Sequence, residues 1–459
     1  METKTPETTS AHKLTAPEKP SFREAFLFWL KLGFISFGGP AGQIAIMHSF
    51  IVEQKRWVSD SRFLHALNYC MLLPGPEAQQ LATYLGWLMH GVRGGLVAGI
   101  FFVLPSVFIL LGLSAVYVSF GTIPWVAALF YGLKPAVVAI VALALIKIAG
   151  KSLKSWFHYA LAAASFVAIF FFKVPFPLII LAAVLLALVV RKAFPALLQE
   201  KEATKKQADD EESHYLHAGS EVVGEGVTFG RSLLRFAVTL ALWALPLALF
   251  YLLTSQYSFW ENLIAFFTKA ALVTFGGAYA VLPYAAQVTV EKFHWLSRLE
   301  MIDGLALGET TPGPLIMVLA FVGFMAGFNQ YGGSLAMGAV GLFTTTFYTF
   351  LPCFFFILAG APFIERTRGN TAVKSILGVI TAAVVGVVLN LTVYFGTAVL
   401  FPNGISFQRL DYFALAWILI SFLAMYRFKV GMITWIGVSA LAGLVFYFYL
   451  AYGLVAVSL

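Results

Sequence analysis

Residues 28–40 read FWLKLGFISFGGP, and residues 266–277 read FFTKAALVTFGG. The second stretch lies 238 positions after the first, and the register holds without a gap beyond it. Val52-Glu53 falls on Val290-Glu291, Trp57 on Trp295, Ser59 on Ser297, and Pro74-Gly75-Pro76 on Pro312-Gly313-Pro314. From 28 to 76 there are 13 identities in 49 positions, concentrated in Gly, Pro, Trp and charged residues. Shared hydrophobicity would scatter Leu and Val matches instead, so the chain carries an internal duplication.

Composition says what was duplicated. Of 459 residues, 60% are hydrophobic and 11% charged, with mean hydropathy +0.85. A water-facing surface needs more charge than that, since soluble domains carry about 25%. The apolar runs are continuous rather than alternating, which fits helices and not a barrel. The expectation is an all-α polytopic membrane protein of about 13 transmembrane helices in two inverted-topology repeats with Gly/Pro-broken helices.

The apolar spans fall near 23–47, 62–90, 95–119, 123–147, 154–172 and 174–191, then 232–254, 260–287, 299–328, 333–361, 372–400, 411–427 and 430–457. The polar residues 1–20 read as a disordered cytoplasmic tail without the order of a signal peptide. Residues 21–195 form the first repeat and 257–459 the second. Between them lie a cytoplasmic linker at 196–230, where His214 and His217 read as solvated, and an extra helix at 231–256. That single extra crossing inverts the second repeat relative to the first, the design that secondary transporters use for alternating access.

Charge sets the orientation. With the N-terminus in the cytoplasm, 22 of the 30 Lys and Arg fall on cytoplasmic segments and five outside, a positive-inside bias. This placement accounts for the net charge of +8 without nucleic acid. The spans 23–47 and 62–90 are each interrupted by Gly and Pro, so re-entrant hairpins are the alternative to crossings. Cys70 and Cys353 suggest no disulfide, and no cysteine or histidine pattern calls for a metal or other cofactor. Membrane lipids are partners by default, and a homo-oligomer is compatible with the composition.

The broken positions carry the chemistry. Gly38-Gly39-Pro40 and Pro74-Gly75-Pro76 recur as Gly276-Gly277 and Pro312-Gly313-Pro314. Proline removes a helix hydrogen bond and disfavours helix in the preceding residue, so each should end one half-helix and begin another. Half-helix N-termini present free N–H groups and a positive dipole end, which suits an anion. Lys31 and Lys269 each precede a Gly-Gly by seven residues, a matched pair of positive charges fit for a dianion. Gln79 stands beside the first Pro-Gly-Pro. Glu77, Glu309 and Asp303 are unmatched between the repeats and are candidates for proton or ion coupling.

The FGGP at 37–40, E-x-x-x-W-V-S at 53–59, PGPEAQQ at 74–80 and the second-half FGG and TPGP resemble the chromate ion transporter family, in its long two-domain bacterial form. The resemblance covers nearly the whole chain. It implies chromate efflux across the bacterial inner membrane and chromate resistance, with sulfate or another oxyanion as the alternative cargo. A membrane enzyme reducing chromate is disfavoured by the lack of flavin, haem or cysteine-cluster signals. The second repeat departs from the pattern, with Ala278 where the first has Pro40 and no glutamate after its Pro-Gly-Pro.

Overall fold

The computed structural model describes residues 17–37, 39–71, 73–193, 214–216, 229–275, 277–364 and 371–457. The helices are α1 (Phe22–Ile35), α2 (Gly39–His48), α3 (Asp60–Cys70), α4 (Glu77–Phe120), α5 (Pro124–Ser152), α6 (Trp156–Phe170), α7 (Phe176–Ala193) and α8 (Phe229–Leu253). They continue with α9 (Tyr257–Val273), α10 (Ala278–Ala285), α11 (Arg298–Thr310), α12 (Val318–Gln330), α13 (Leu335–Ile364), α14 (Thr371–Leu400), α15 (Tyr412–Tyr426) and α16 (Met432–Val457).

The spans expected at 23–47, 62–90, 260–287 and 299–328 do not cross. At the start of α1, Glu24 pairs with Lys55 at 2.7 Å, and Phe28 stacks on Phe50 with centroids 4.1 Å apart. The chain therefore enters along α1, reverses after Ile35, and returns along α2. The next pair behaves alike. His90, at the end of the first arm of α4, sits 2.9 Å from the Pro20 carbonyl. Asp60 and His90 thus lie on the side where α1 began, and the chain reverses between α3 and α4.

The second repeat makes the same two hairpins. Trp260 at the start of α9 donates to the Tyr331 hydroxyl after α12 at 2.8 Å. Asn329 donates to the Trp295 carbonyl between α10 and α11, also at 2.8 Å. The physical reason is the breaks. They divide each apolar run into arms of 8–17 residues, and the Gly and Pro between the arms let the chain fold back on itself. Hydropathy cannot distinguish such a hairpin from one crossing, because both are equally apolar.

Crossing begins after each hairpin pair. At His90-Gly91 α4 turns sharply, with Gly91 at φ 63°. A Cβ on Gly86 or Gly94 would overlap the other's carbonyl oxygen, so the two arms of α4 pack backbone to backbone. Gly323 and Gly341 do the same for α12 and α13. Seven described helices are long and apolar enough to cross a membrane, α4, α5, α7, α8, α13, α14 and α16. The 15-residue α6 and α15, about 22 Å long, complete the alternation. Among the described residues, seven helices are thus long enough to cross, two more are shorter and apolar, and four runs fold back as hairpins in place of single spans. The hairpins of the first repeat enter from the side of α1, and those of the second from the opposite side.

Backbone detail repeats with the sequence. Each α2-type arm ends in a π turn, Ser49–Gln54 and Ala286–Lys292, followed by a left-handed residue, Arg56 at φ 52° and His294 at φ 51°. Phe172-Lys173-Val174 recurs as Phe428-Lys429-Val430, and both lysines have φ 53°. The extra helix α8 is fastened to the second repeat, with Trp243 donating to Thr268 at 2.9 Å and Phe250 stacked on Trp260.

The expected linker is partly docked. Residues 214–216 lie along the loop before α3, with Ser59 N–H donating to Leu216 O at 2.8 Å and Leu216 N–H to Trp57 O at 3.0 Å. His214 is buried there, against the reading of a solvated side chain; His217 lies outside the described residues. This docking places the 55–59 loop on the linker's side, as the hairpin arrangement requires.

Candidate anion site at the hairpin tips

The four reversals meet, and they meet crosswise. Gly75 N–H in the first repeat donates to Thr274 O in the second at 2.8 Å, and Gly313 N–H donates to Ser36 O at 2.7 Å. Ser36 and Thr274 are matched positions, as are Gly75 and Gly313, so the two bonds are related by the internal symmetry. Each Pro-Gly-Pro also rests on the crossing helix of the other repeat. Ser106 of α4 donates to Pro312 O, and Gly75 lies against Cys353 of α13. Four glycines at these turns have positive φ: Gly39 69°, Gly75 122°, Gly277 96° and Gly313 98°. A side chain there would add about 1 kcal/mol or more of strain besides crowding. Gly38 and Gly276 lie outside the described residues.

The helices that start at the junction lack side-chain caps. Pro76 before α4, Gly277 before α10 and Pro314 before the 3₁₀ turn that leads into α12 provide none. At the periphery, Ser21, Ser297 and Asp411 cap α1, α11 and α15 with side-chain oxygens. First-turn N–H groups without an internal partner are what a helix offers to an anion. Pro74, Gly75, Pro76, Pro312, Gly313 and Pro314 therefore shape the junction through backbone, not side chains.

Three glutamines line it. Gln43 donates to Gly313 O at 2.5 Å, Gln79 to Thr83 Oγ1 at 3.1 Å and Gln80 to Pro74 O at 2.8 Å. The Oε1 of each is buried with no hydrogen-bond partner among the described residues. Buried polar atoms are ordinarily satisfied, so these mark a place built for something polar.

The carboxylates separate. Glu77 opens α4 and faces the second repeat, since a Cβ on Gly277 would stand 3.5 Å from its Oε1. It thus sits at the uncapped start of α10. Glu309 accepts from the Tyr279 hydroxyl at 2.5 Å. Asp303 lies two turns of α11 before the tip. It pairs with Lys134 of α5 at 3.1 Å and accepts from Tyr117 of α4 at 3.0 Å. Lys134 carried no signal as a partner, because 169 residues separate it from Asp303 in the chain. Removing one member of so buried a pair would cost on the order of 3 kcal/mol.

Lys31 and Lys269 are elsewhere. Both are exposed. Lys31 shares the face of α1 that carries exposed Leu27 and Phe34, not the face of Trp29, Leu32 and Ser36 that packs inward. Neither ammonium makes an ion pair or hydrogen bond among the described residues. A separate cavity of 580 Å³ between α4, α8 and α13 is lined almost wholly by apolar side chains and matches lipid chains better than an oxyanion.

Comparison with known proteins finds relatives along most of the chain. The chain is 28% identical over 387 residues to the chromate transport protein of Cupriavidus metallidurans, covering 83% of this chain and 84% of that one. It is 30% identical over 391 residues to the chromate transport protein of Pseudomonas aeruginosa, covering 83% and 82%. An uncharacterized transporter of Methanocaldococcus jannaschii is 25% identical over 420 residues, 92% and 93% of the two chains. No solved structure matches. The family model for chromate transporters matches residues 23–188 and 260–444, one stretch in each half. The chain is thus a multi-pass membrane transporter, not an enzyme, and belongs to the chromate transporter family.

Proposed function

We propose that the protein exports chromate across the bacterial inner membrane, N-terminus in the cytoplasm, and so confers chromate resistance. The dianion is seated among the uncapped half-helix starts where the hairpin tips cross. One observation carries this reading: the symmetric pair of bonds, Gly75 N–H to Thr274 O and Gly313 N–H to Ser36 O, that gathers four breaks at one point. Irregular backbone at membrane depth is tolerated where protein covers it or where it lines a path.

Energy does not require a dedicated pump. A negative-inside potential favours expulsion of a dianion by about 4.6 kcal/mol per 100 mV. Glu77 already places a carboxylate at the start of α10, so arrival of the substrate requires it to move aside or take up a proton. Glu309 and Asp303 are the further coupling candidates. A second reading, a sulfate or general oxyanion carrier or exchanger, draws on the same amides, because backbone N–H groups distinguish tetrahedral dianions poorly.

Chromate uptake into everted vesicles with an imposed inside-positive potential tests the proposal. Potential-driven accumulation that excess sulfate leaves intact supports a chromate exporter. Accumulation abolished by sulfate supports the broader carrier. No accumulation despite inserted protein contradicts both.

A further inference from the structure

The two hairpin pairs are not equally packed. In the second repeat, α11 lies against α5 and α14, and α10 lies against α14; Met301–Glu309 are buried without exception. In the first repeat, α2 and α3 pack chiefly on α4, and Ala41, Ala45, Ser61, Leu64 and Asn68 are exposed. The cores divide accordingly. The first-repeat hairpins form a cluster of their own with α4, whereas the second-repeat hairpins share one with α5, α7 and α14.

We propose that Lys134, Asp303 and Tyr117 form the gate that holds the path shut on the side where the second-repeat hairpins enter. The proposal rests on the reading of the hairpin tips as an anion seat. Lys134 and Tyr117 come from helices of the first repeat and Asp303 from a hairpin of the second, so the cluster joins the two repeats. Its side chains are largely buried, at 19% and 5% exposure for Lys134 and Asp303.

The internal symmetry gives the other side different residues. Aligning Gly132 and Gly150 with Gly378 and Gly396 puts Ile380 where Lys134 stands, and the 238-residue register puts His65 where Asp303 stands. With an aliphatic side chain at the position of Lys134, the matched positions cannot repeat the Lys134–Asp303 ion pair. Beyond the gate, a cavity of 250 Å³ between α6, α10 and α14 carries Lys173 and Arg298 together with Glu291. Two cations against one carboxylate leave a net positive charge for a dianion released past the gate. As Asp303 withdraws, the Lys134 ammonium faces the passing anion, which offsets the loss of its counter-charge.

The test uses the full chain in proteoliposomes, with Ala306→Cys on α11 as a reporter. Ala306 is 1% exposed, and both native thiols are buried, so the parent protein sets the background. A membrane-impermeant maleimide is supplied from the C-terminal side. Asp303→Asn and the milder Tyr117→Phe are expected to raise reporter labelling, the former by about tenfold. The reversed pair Lys134→Asp with Asp303→Lys should restore slow labelling and chromate flux together. Unchanged labelling in Asp303→Asn, or a reversed pair that remains open, overturns the gate. Absence of chromate flux in the parent protein speaks against the seat instead, and the labelling still decides the gate.

Discussion

The hairpins of the two repeats follow one sequence plan and reach different surroundings. Both begin with an aromatic-rich arm, break at Gly-Gly, return through a π turn, and break again at Pro-Gly-Pro. In the first repeat the third arm, DSRFLHALNYC, keeps polar residues along its length and remains half exposed. In the second, RLEMIDGLALGET keeps Arg298 and Glu300 at its start and Glu309 and Thr310 at its end, has Asp303 alone between them, and is buried from Met301 to Glu309. Duplication thus supplied a common scaffold, and divergence left one pair partly exposed and the other deeply packed. Inverted repeats of this kind are what secondary transporters use for alternating access.

The largest expected effect contrasts the two Pro-Gly-Pro turns. A Cβ at Gly313 would run into Ser106 of the other repeat, at a φ that L side chains rarely adopt. Gly313→Ala is expected to cost about 2–4 kcal/mol and to lower the thermal midpoint by several degrees, read by intrinsic fluorescence in detergent. Gly75→Ala meets the Cys353 sulfur and the tip of Gln80, and its looser hairpin should absorb part of the change. Equal losses would break the comparison.

Glu77 has no counterpart, since Leu315 occupies the matched position. Glu77→Gln removes a negative charge from the start of α10, so half-saturation by chromate should fall by about tenfold, with slower release. A rise in half-saturation would place the carboxylate in the role of a ligand partner instead. Helix caps give a smaller contrast. Ser297 closes a capping box with Glu300, while Ser59 makes no cap bond to α3. Ser297→Ala should destabilise by about 1 kcal/mol, measured by denaturation in detergent, and Ser59→Ala by less.

The smallest effect concerns the paired lysines. Because Lys31 and Lys269 lie on exposed faces, Lys31→Gln with Lys269→Gln is expected to change chromate flux by no more than about threefold. Abolished flux with folded protein would bring both ammonium groups back into the anion path.

The repeat, the membrane class and the four breaks were legible because Gly and Pro act locally, and their spacing survives in one dimension. Whether a broken apolar run crosses or returns was not legible, because the deciding contacts join residues such as Glu24 and Lys55 that hydropathy treats alike. Asp303 was visible as a carboxyl too costly to leave alone in a membrane. Its partner was not, because nothing near residue 134 signals a contact with α11. Lys31 and Lys269 were conspicuous for the same cost, yet at the face of a hairpin arm a lysine can reach water along its own stem. Position on the helix face, which the structure supplies, separates these cases.

Side-selective labelling of four single cysteines tests the hairpin arrangement most directly. Lys19→Cys, Lys55→Cys, Lys292→Cys and Arg409→Cys are each introduced singly and exposed to an impermeant maleimide in right-side-out and everted vesicles. The hairpin fold predicts that positions 19 and 55 label from one side and positions 292 and 409 from the other. Labelling of position 55 opposite to position 19, with position 292 on the side of position 19, would contradict it and restore thirteen crossings.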